Sequence, residues 1–320
     1  MERKQYQFEL WQECNSKCEF CYLGENNGFT SDEDKISNIN SVLEIIGNNN
    51  LYEEINCLAY IGGEFFQGQM KNIKVKEKFL ELMEKTNSLL ESKLIDETWI
   101  CATLNIGDQK DLFDSLQKFS DKSKIWILTS YDTIGRFHSE KMLNTWKENL
   151  HKLKSMYPEI NINVTSILTG DFIDKYLSDE LDLIPLISEY GCSLFLKPTC
   201  PIEHKDGVYS KEETNKIVPN FFPTRKKFLS FLYKYKSKES QSMYNKLFNI
   251  NLRSDYLFKF NDKSSITKLH RIKDKSQEIA EIGSVAGGEL PCGHSTQYGI
   301  YIDTDEHCAI CDKEMIKNLK

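Results

Sequence analysis

The 320-residue chain has no long apolar run. None of its hydrophobic stretches approaches the ~20 residues that a membrane helix needs. Its first residues, Met1 to Gln7, are polar and basic and lack the apolar stretch of a secretory leader. Both absences predict a cytoplasmic protein that makes no membrane contact. Arginine is scarce, with five in all: Arg3, Arg136, Arg225, Arg253 and Arg271. The net charge is −7. That balance argues against wholesale binding of a phosphate backbone, although it leaves room for a local basic groove. No internal repeat appears beyond an alternation of strand-like and helix-like segments. His138, His151, His204 and His270 have no partner spacing that points to catalysis, and they are assigned no role.

What the chain does have is cysteine, ten residues in all. Three lie at 14, 18 and 21, and three at 292, 308 and 311. Clusters of this kind in a reducing compartment point to metal ligation over disulfides. Cys57, Cys101 and Cys192 lie in or beside apolar strand-like runs and read as buried thiols. Cys200 stands apart from both clusters.

The first two hundred residues alternate between the two periodicities. Strands are predicted at Tyr6–Trp11, Cys57–Ile61, Thr98–Thr103, Ile125–Thr129, Ile160–Leu168 and Ser193–Leu196. Helices are predicted between them. The first spans Ser31–Ile46, with Thr30 or Ser31 as N-cap, an apolar face of Ile36, Ile39, Leu43 and Ile46, and Gly47 as its end. The others cover Lys74–Leu94, Lys110–Phe119, Ser139–Met156 and about Phe172–Tyr190, the last interrupted by Pro185. Met142, Trp146, Leu150 and Leu153 form a stripe read as core packing. Six strand–helix repeats predict an α/β fold, a partial (β/α)6 TIM-like barrel of parallel strands over residues 1–200. Residues 201–320 are predicted to form a helical linker and a small C-terminal cysteine-containing α+β extension. Thr199–Pro223 reads as a linker or a substrate-facing loop. Helical pieces follow near Thr224–Tyr235 and Ser240–Phe248, and the tail holds a hairpin beginning at Tyr298–Ile302. In parallel sheets of this kind, chemistry gathers at the carboxyl ends of the strands.

Directly after the first strand the chain reads Cys14-Asn15-Ser16-Lys17-Cys18-Glu19-Phe20-Cys21, a C-x3-C-x2-C spacing. Three thiolates on one short loop can hold three irons of a 4Fe–4S cubane, which takes four cysteines when closed. The fourth iron is then open to a small ligand. A structural zinc site is the alternative, but it needs a fourth Cys or His, and the next cysteine is Cys57.

This loop resembles the hallmark of the radical S-adenosylmethionine (SAM) superfamily, C-x3-C-x-aromatic-C, with Phe20 at the aromatic position and Asn15 common after the first cysteine. The resemblance implies a 4Fe–4S cluster on Cys14, Cys18 and Cys21, with SAM chelated at the open iron. It also implies reductive cleavage of SAM to a 5′-deoxyadenosyl radical that takes hydrogen from a substrate. A small electron-donor protein or another reductant is implied as a partner. Gly62-Gly63-Glu64, after the second strand, is similar to the family's GGE motif, whose backbone and carboxylate bind the methionine amino group. Glycines let a backbone come close, and a carboxylate accepts from an ammonium. The family often has Pro next, whereas Phe65 stands here. Ser130, Asp132 and Arg136, after the fourth strand, resemble a Ser-x-Asp stretch with a carboxylate-holding arginine in peptide-modifying members. They are candidate SAM contacts beside Phe20, Gly62, Gly63 and Glu64. A helix-capping loop is the competing reading. Asn105 and Thr165 are weaker candidates.

Cys292-Gly293-His294 and His307-Cys308-Ala309-Ile310-Cys311 resemble the start of a SPASM or twitch extension. Cys292 and Cys311 hold the expected positions. Glu306 stands where Gly is expected, Cys308 is additional, and the later cysteines of such an extension are absent from the sequence. Three readings stay open. The first is a second iron–sulfur cluster on Cys292, Cys308, Cys311 and a residue such as Cys200. The second is a zinc site using His294 or His307, and the third a metal-free hairpin. The extension implies a peptide or protein substrate. A nucleoside or RNA substrate is the alternative, served by the basic–aromatic stretch from Arg225 to Lys236, which also reads as a plain amphipathic helix. A non-catalytic iron–sulfur or zinc protein is the reading from another class.

Overall fold

The computed structural model describes residues 5–21, 29–53, 55–107, 109–181, 190–197, 203–204, 207–208, 211–224, 227, 230, 231, 234, 267–273 and 276–282. Strands and helices alternate as β1 (Gln5–Glu9), α1 (Asp32–Ile46), β2 (Cys57–Ile61), α2 (Ile73–Glu91), β3 (Glu97–Cys101), α3 (Lys110–Leu116), β4 (Ile125–Ser130), α4 (Glu140–Met156), β5 (Asn161–Ile167), α5 (Gly170–Leu177) and β6 (Ser193–Lys197). A two-residue strand pair, β7 (Glu203–His204) and β8 (Gly207–Val208), precedes α6 (Lys211–Ile217). The hairpin β9 (Thr267–Lys273) and β10 (Ser276–Ile282) follows.

Strands β1 to β6 lie side by side in chain order and all pair in parallel. That order results when each helix returns the chain in the same rotational sense, which for parallel strands is right-handed. It puts the helices on one face. Strand burial alternates accordingly, as in Ile125, Ile127 and Thr129 of β4 or Ile162, Val164 and Ser166 of β5. Tyr6, Phe8, Leu58, Tyr60, Ile100, Ile127 and Val164 join helix residues such as Ile39, Phe79, Leu112 and Trp146 in one buried cluster. The opposite face carries half-buried and more polar residues, among them Gln7, Trp99, Trp126, Asn163 and Thr165. On the outer side of β1, β9 pairs in parallel and β10 pairs antiparallel to β9. Among the described residues, no helix is long and apolar enough to cross a membrane.

Local chemistry explains the helix starts. Ser31 caps α1 by accepting from the Asp34 backbone N–H at 3.1 Å, and three acidic residues follow in the first turn, where the helix dipole favours them. Asn72, Ser139 and Thr169 cap α2, α4 and α5 in the same way. The fully buried stripe of α1 is Lys35, Ile39, Val42 and Ile46, so the expected Ile36 and Leu43 sit at its margin. Gly47 ends α1 in a right-handed conformation (φ −75°), not the left-handed one favoured for a glycine cap. In α4, Trp146, Leu150 and Leu153 are buried as expected, Met142 is half-buried, and buried beside them is Asn149. Its amide donates to the carbonyls of Leu104 at 2.8 Å and Gly107 at 3.1 Å. The helical region predicted over Phe172–Tyr190 is broken after Leu177, where α5 closes ahead of Pro185, and Tyr190 is helical again.

Candidate metal and cofactor site

Three strand ends converge on the cysteine loop. The chain leaving β1 continues beside the chain leaving β2. Leu10 N–H donates to Ile61 O at 3.2 Å, Gly63 N–H to Trp11 O at 2.9 Å, and Glu64 N–H to Glu13 O at 2.9 Å. The glycines are needed for this approach. A Cβ on Gly62 would lie 2.2 Å from Trp11 O, and one on Gly63 would lie 2.3 Å from both Gln12 O and Glu13 O. Their first task is therefore to seat the segment that leads into Cys14.

Glu64 is 1% exposed and faces inward. One carboxylate oxygen accepts from the backbone N–H groups of Phe65 at 2.8 Å and Phe66 at 2.9 Å. The other accepts from Thr103 N–H at 2.6 Å, beyond the end of β3. Burial pushes its carboxyl above the ordinary value, and these donors pull it back. The carboxylate thus clasps the loop after β2 to the loop after β3.

Gln67 continues the clasp. Asn15 N–H donates to its side-chain oxygen at 3.2 Å, and the Asn15 amide donates to its backbone carbonyl at 3.0 Å. Its own amide nitrogen donates to Ser16 Oγ at 3.1 Å and to Asn105 Oδ1 at 2.8 Å, and it also reaches the Thr103 hydroxyl. Ser16 Oγ donates to Asn105 Oδ1 at 3.1 Å. Asn105 is 1% exposed, and its amide nitrogen has no partner among the described residues.

The loop after β4 closes the other side. Glu19 N–H donates to Gly135 O at 2.9 Å, and His138 Nε2 lies 3.1 Å from Ser16 O and 3.0 Å from Lys17 O. Lys17 takes a left-handed conformation (φ +50°) in the turn between Cys14 and Cys18. Gly135 is left-handed as well (φ +74°), and a Cβ there would strike the Phe20 ring at 2.8 Å. Arg136 Nε donates to Asp132 Oδ2 at 2.5 Å, and its Nη1 lies 3.3 Å from Cys18 Sγ. Asp132 also accepts from the Ile167 N–H of β5 at 2.7 Å. Ser130 is half-buried at the end of β4, paired in register with Thr165.

Phe20 is roofed from beyond the sheet. Val218, Phe221 and Phe222 bury against it together with Cys18, Ile134 and Ile167. The Phe20 and Phe221 rings stack at 6.0 Å. The Gly170 and Asp171 N–H groups, at the start of α5, donate to Phe221 O at 3.0 Å and Asn220 O at 3.1 Å. Within the expected linker, Thr199–Pro223, the described residues are the short β7–β8 pair and, over 211–223, a helix and a turn fixed to α5 and to Phe20. In the basic–aromatic stretch, Phe231 is buried beside Tyr176 at 5.1 Å, and Lys227 and Lys234 pair with Asp174 and Asp179 at 2.7 Å. These three residues, four and three apart, hold the stretch against α5 and the turn that follows it.

The structure therefore gathers Cys14, Cys18, Cys21, Phe20, Gly62, Gly63, Glu64, Asp132 and Arg136 at one edge of the sheet. Gln67, Gly135 and His138 belong there too. No spacing in the sequence marks them, because their partners are backbone atoms and rings far away in the chain. Cys200, Cys292, Cys308, Cys311, His294 and His307, and the hairpin at Tyr298–Ile302, lie outside the described residues.

The donor set bears on which metal the loop suits. Among the described residues, no three His, Cys, Asp or Glu side chains converge as a single ion requires. A 4Fe–4S cubane would take one of the three thiolates on each of three irons and leave the fourth iron open. Burial pushes the Cys14 and Cys18 thiols up, and the nearby Arg136 pulls Cys18 back. Metal cations displace such protons on binding. The partnerless buried amide of Asn105 beside the loop is a donor available to a polar cofactor. These residues fit an iron–sulfur cluster with an open site.

No family model matches the chain, and no curated protein matches it in sequence. Among solved structures, it is similar to Streptococcus suis SuiB, determined with S-adenosylmethionine bound. The TM-score is 0.40 at 10% identity, over 77% of this chain and 46% of SuiB. The chain thus spans less than half the length of that protein.

Proposed function

We propose that the protein is a radical SAM enzyme, with a 4Fe–4S cluster on Cys14, Cys18 and Cys21 and SAM across the carboxyl ends of strands curled into a partial barrel. The observation that carries this reading is the C-x3-C-x-Phe-C loop itself, pinned by backbone and side-chain bonds to the ends of β2, β3 and β4 at the edge where parallel sheets hold ligands. When bound, such a cluster supplies one electron that cleaves SAM to methionine and a 5′-deoxyadenosyl radical, which abstracts hydrogen from the substrate.

The chain's own residues supply position and shelter. Gly62 and Gly63 let the β2 end lie flat against Trp11–Glu13, so the loop is held by backbone at its entry. Glu64 fixes the β2 and β3 loops in one arrangement. The Asn105 amide and the half-buried Ser130 and Thr165 offer polar contacts at the same edge. Phe20 under Phe221 keeps water from the Cys18 side of the loop. Positioning of this kind decides which substrate hydrogen lies within reach.

The face of the sheet opposite the helices is the substrate wall in this reading. There Trp99 and Trp126 stack at 5.2 Å, and both indole N–H groups donate to Glu97, at 2.6 and 2.9 Å. The substrate class we favour is a peptide or protein side chain, the class that the SPASM-like tail sequence implies, with a one-electron donor protein as partner.

Anaerobic reconstitution with iron and sulfide tests the proposal. The expected result is a brown protein that releases 5′-deoxyadenosine from SAM under dithionite, with Cys14→Ala, Cys18→Ala and Cys21→Ala each at background. A colourless, zinc-containing protein, or deoxyadenosine release that survives loss of any one of these thiols, overturns it. Mass spectrometry of candidate peptides and nucleosides after turnover then assigns the substrate class.

A further inference from the structure

Arg136 makes contacts that a SAM carboxylate does not require. Its guanidinium is 5.4 Å from the centre of the Phe20 ring. Its Nε is bound to Asp132, whose other oxygen is tied to β5 through Ile167 N–H. Its Nη1 is directed at Cys18 Sγ, 3.3 Å away. The side chains of Arg136 and Asp132 are 14% and 1% exposed. The order is therefore fixed: thiol, guanidinium, carboxylate, strand end. Cys14 Sγ, by contrast, accepts from the neutral Ser16 N–H, at 3.4 Å.

We infer that Arg136 is a positioning residue for Cys18, which donates a charged hydrogen bond to the cluster-bearing thiolate and thereby raises the cluster's reduction potential. The inference rests on the reading that Cys14, Cys18 and Cys21 carry a 4Fe–4S cluster. Hydrogen bonds to the sulfurs and local net charge are among the main determinants of iron–sulfur potentials, and groups behind the ligands orient them as well. Reduction adds one negative charge to the cluster. A cation held beside one thiolate, in a site largely removed from water, favours that reduced state. Asp132 acts in the opposite sense, at longer range, because it sits behind the guanidinium. A guanidinium keeps its charge in proteins, and the Asp132 carboxylate is its direct partner. A guanidinium has five N–H donors, so two remain on the second terminal nitrogen for a SAM carboxylate.

The test uses the full chain, reconstituted anaerobically as wild type, Arg136→Gln, Arg136→Lys and Asp132→Asn. Iron and sulfide content are measured first. Midpoint potentials are then read by electron paramagnetic resonance during redox titration, without SAM or substrate. For Arg136→Gln, the ratio of reduced to oxidised cluster at a fixed potential should fall at least tenfold, a downward shift of about 59 mV for one electron. Arg136→Lys should fall between that variant and wild type, because the charge remains but the fork is lost. Asp132→Asn should shift upward. That opposite sign stands on its own if Arg136→Gln fails to fold. Fully loaded variants that titrate with wild type overturn the inference while leaving the enzyme reading intact. A wild-type chain that takes up no cluster overturns the underlying reading, and the inference falls with it.

Discussion

Glu64 shows how one side chain can serve two loops. Its carboxylate accepts three backbone N–H bonds, from Phe65, Phe66 and Thr103, in a site closed to water. A buried donor left without an acceptor costs about 1–3 kcal/mol. Glu64→Ala should therefore lower stability by about 3 kcal/mol or more, measured as a shift in the urea midpoint at unchanged slope. Glu64→Gln keeps one acceptor oxygen and should lose clearly less. Equal losses for the two variants would show that the carboxylate does not hold the loops together. The motif Gly-Gly-Glu was legible in the sequence, but this use of it was not. The glycines make room for Trp11–Glu13, and that backbone is about fifty residues distant.

Helices α2 and α3 are joined by charge. Lys76 pairs with Asp111 at 2.7 Å and with Asp114 at 2.6 Å, and Lys110 pairs with Asp114 at 2.6 Å. Hydrogen bonds from Lys110 and Lys76 hold the Asp114 carboxyl below its ordinary 3.8. The folded value is then lower than the unfolded one, so the unfolded chain binds more protons between them and stability rises with pH across that window. The contribution is complete above the unfolded value and is lost as pH falls through the folded one. Partly exposed pairs contribute up to about 1 kcal/mol. Asp114→Asn should cost about 0.5–1 kcal/mol at neutral pH and nothing once the pH is well below 3.8, as read from denaturant curves across that range. An equal deficit at both pH values would point to lost packing in place of lost charge. The elements themselves were readable from their periods, and α1 also from its Ser31 cap. The inner position of Asn149 was not, because its partners are carbonyls of the β3–α3 loop.

The whole molecule adds a layer that neither residue nor helix implies. Residues 218–222 return to the sheet edge and bury Phe20, so a segment about two hundred residues away in the chain packs on the Cys18 side of the cysteine loop. Phe221 is 1% exposed. Phe221→Ala should cost about 3–5 kcal/mol, with faster hydrogen exchange over residues 14–21 and a lower melting temperature. A melting loss with no change in exchange at the loop would place the effect at α5 alone.

The sequence by itself determined the alternation of strands and helices over the first two hundred residues and the spacing of the three thiols. Each of these is a local pattern, and local patterns are written in neighbouring residues. Only the tertiary structure decided what holds the loop. Gln67 and His138 carry no motif, Gly135 matters because a ring from another loop occupies its Cβ position, and Arg136 meets Cys18 across 118 residues of chain. Such contacts depend on where strand ends meet after the sheet has formed, and sequence separation gives no measure of that.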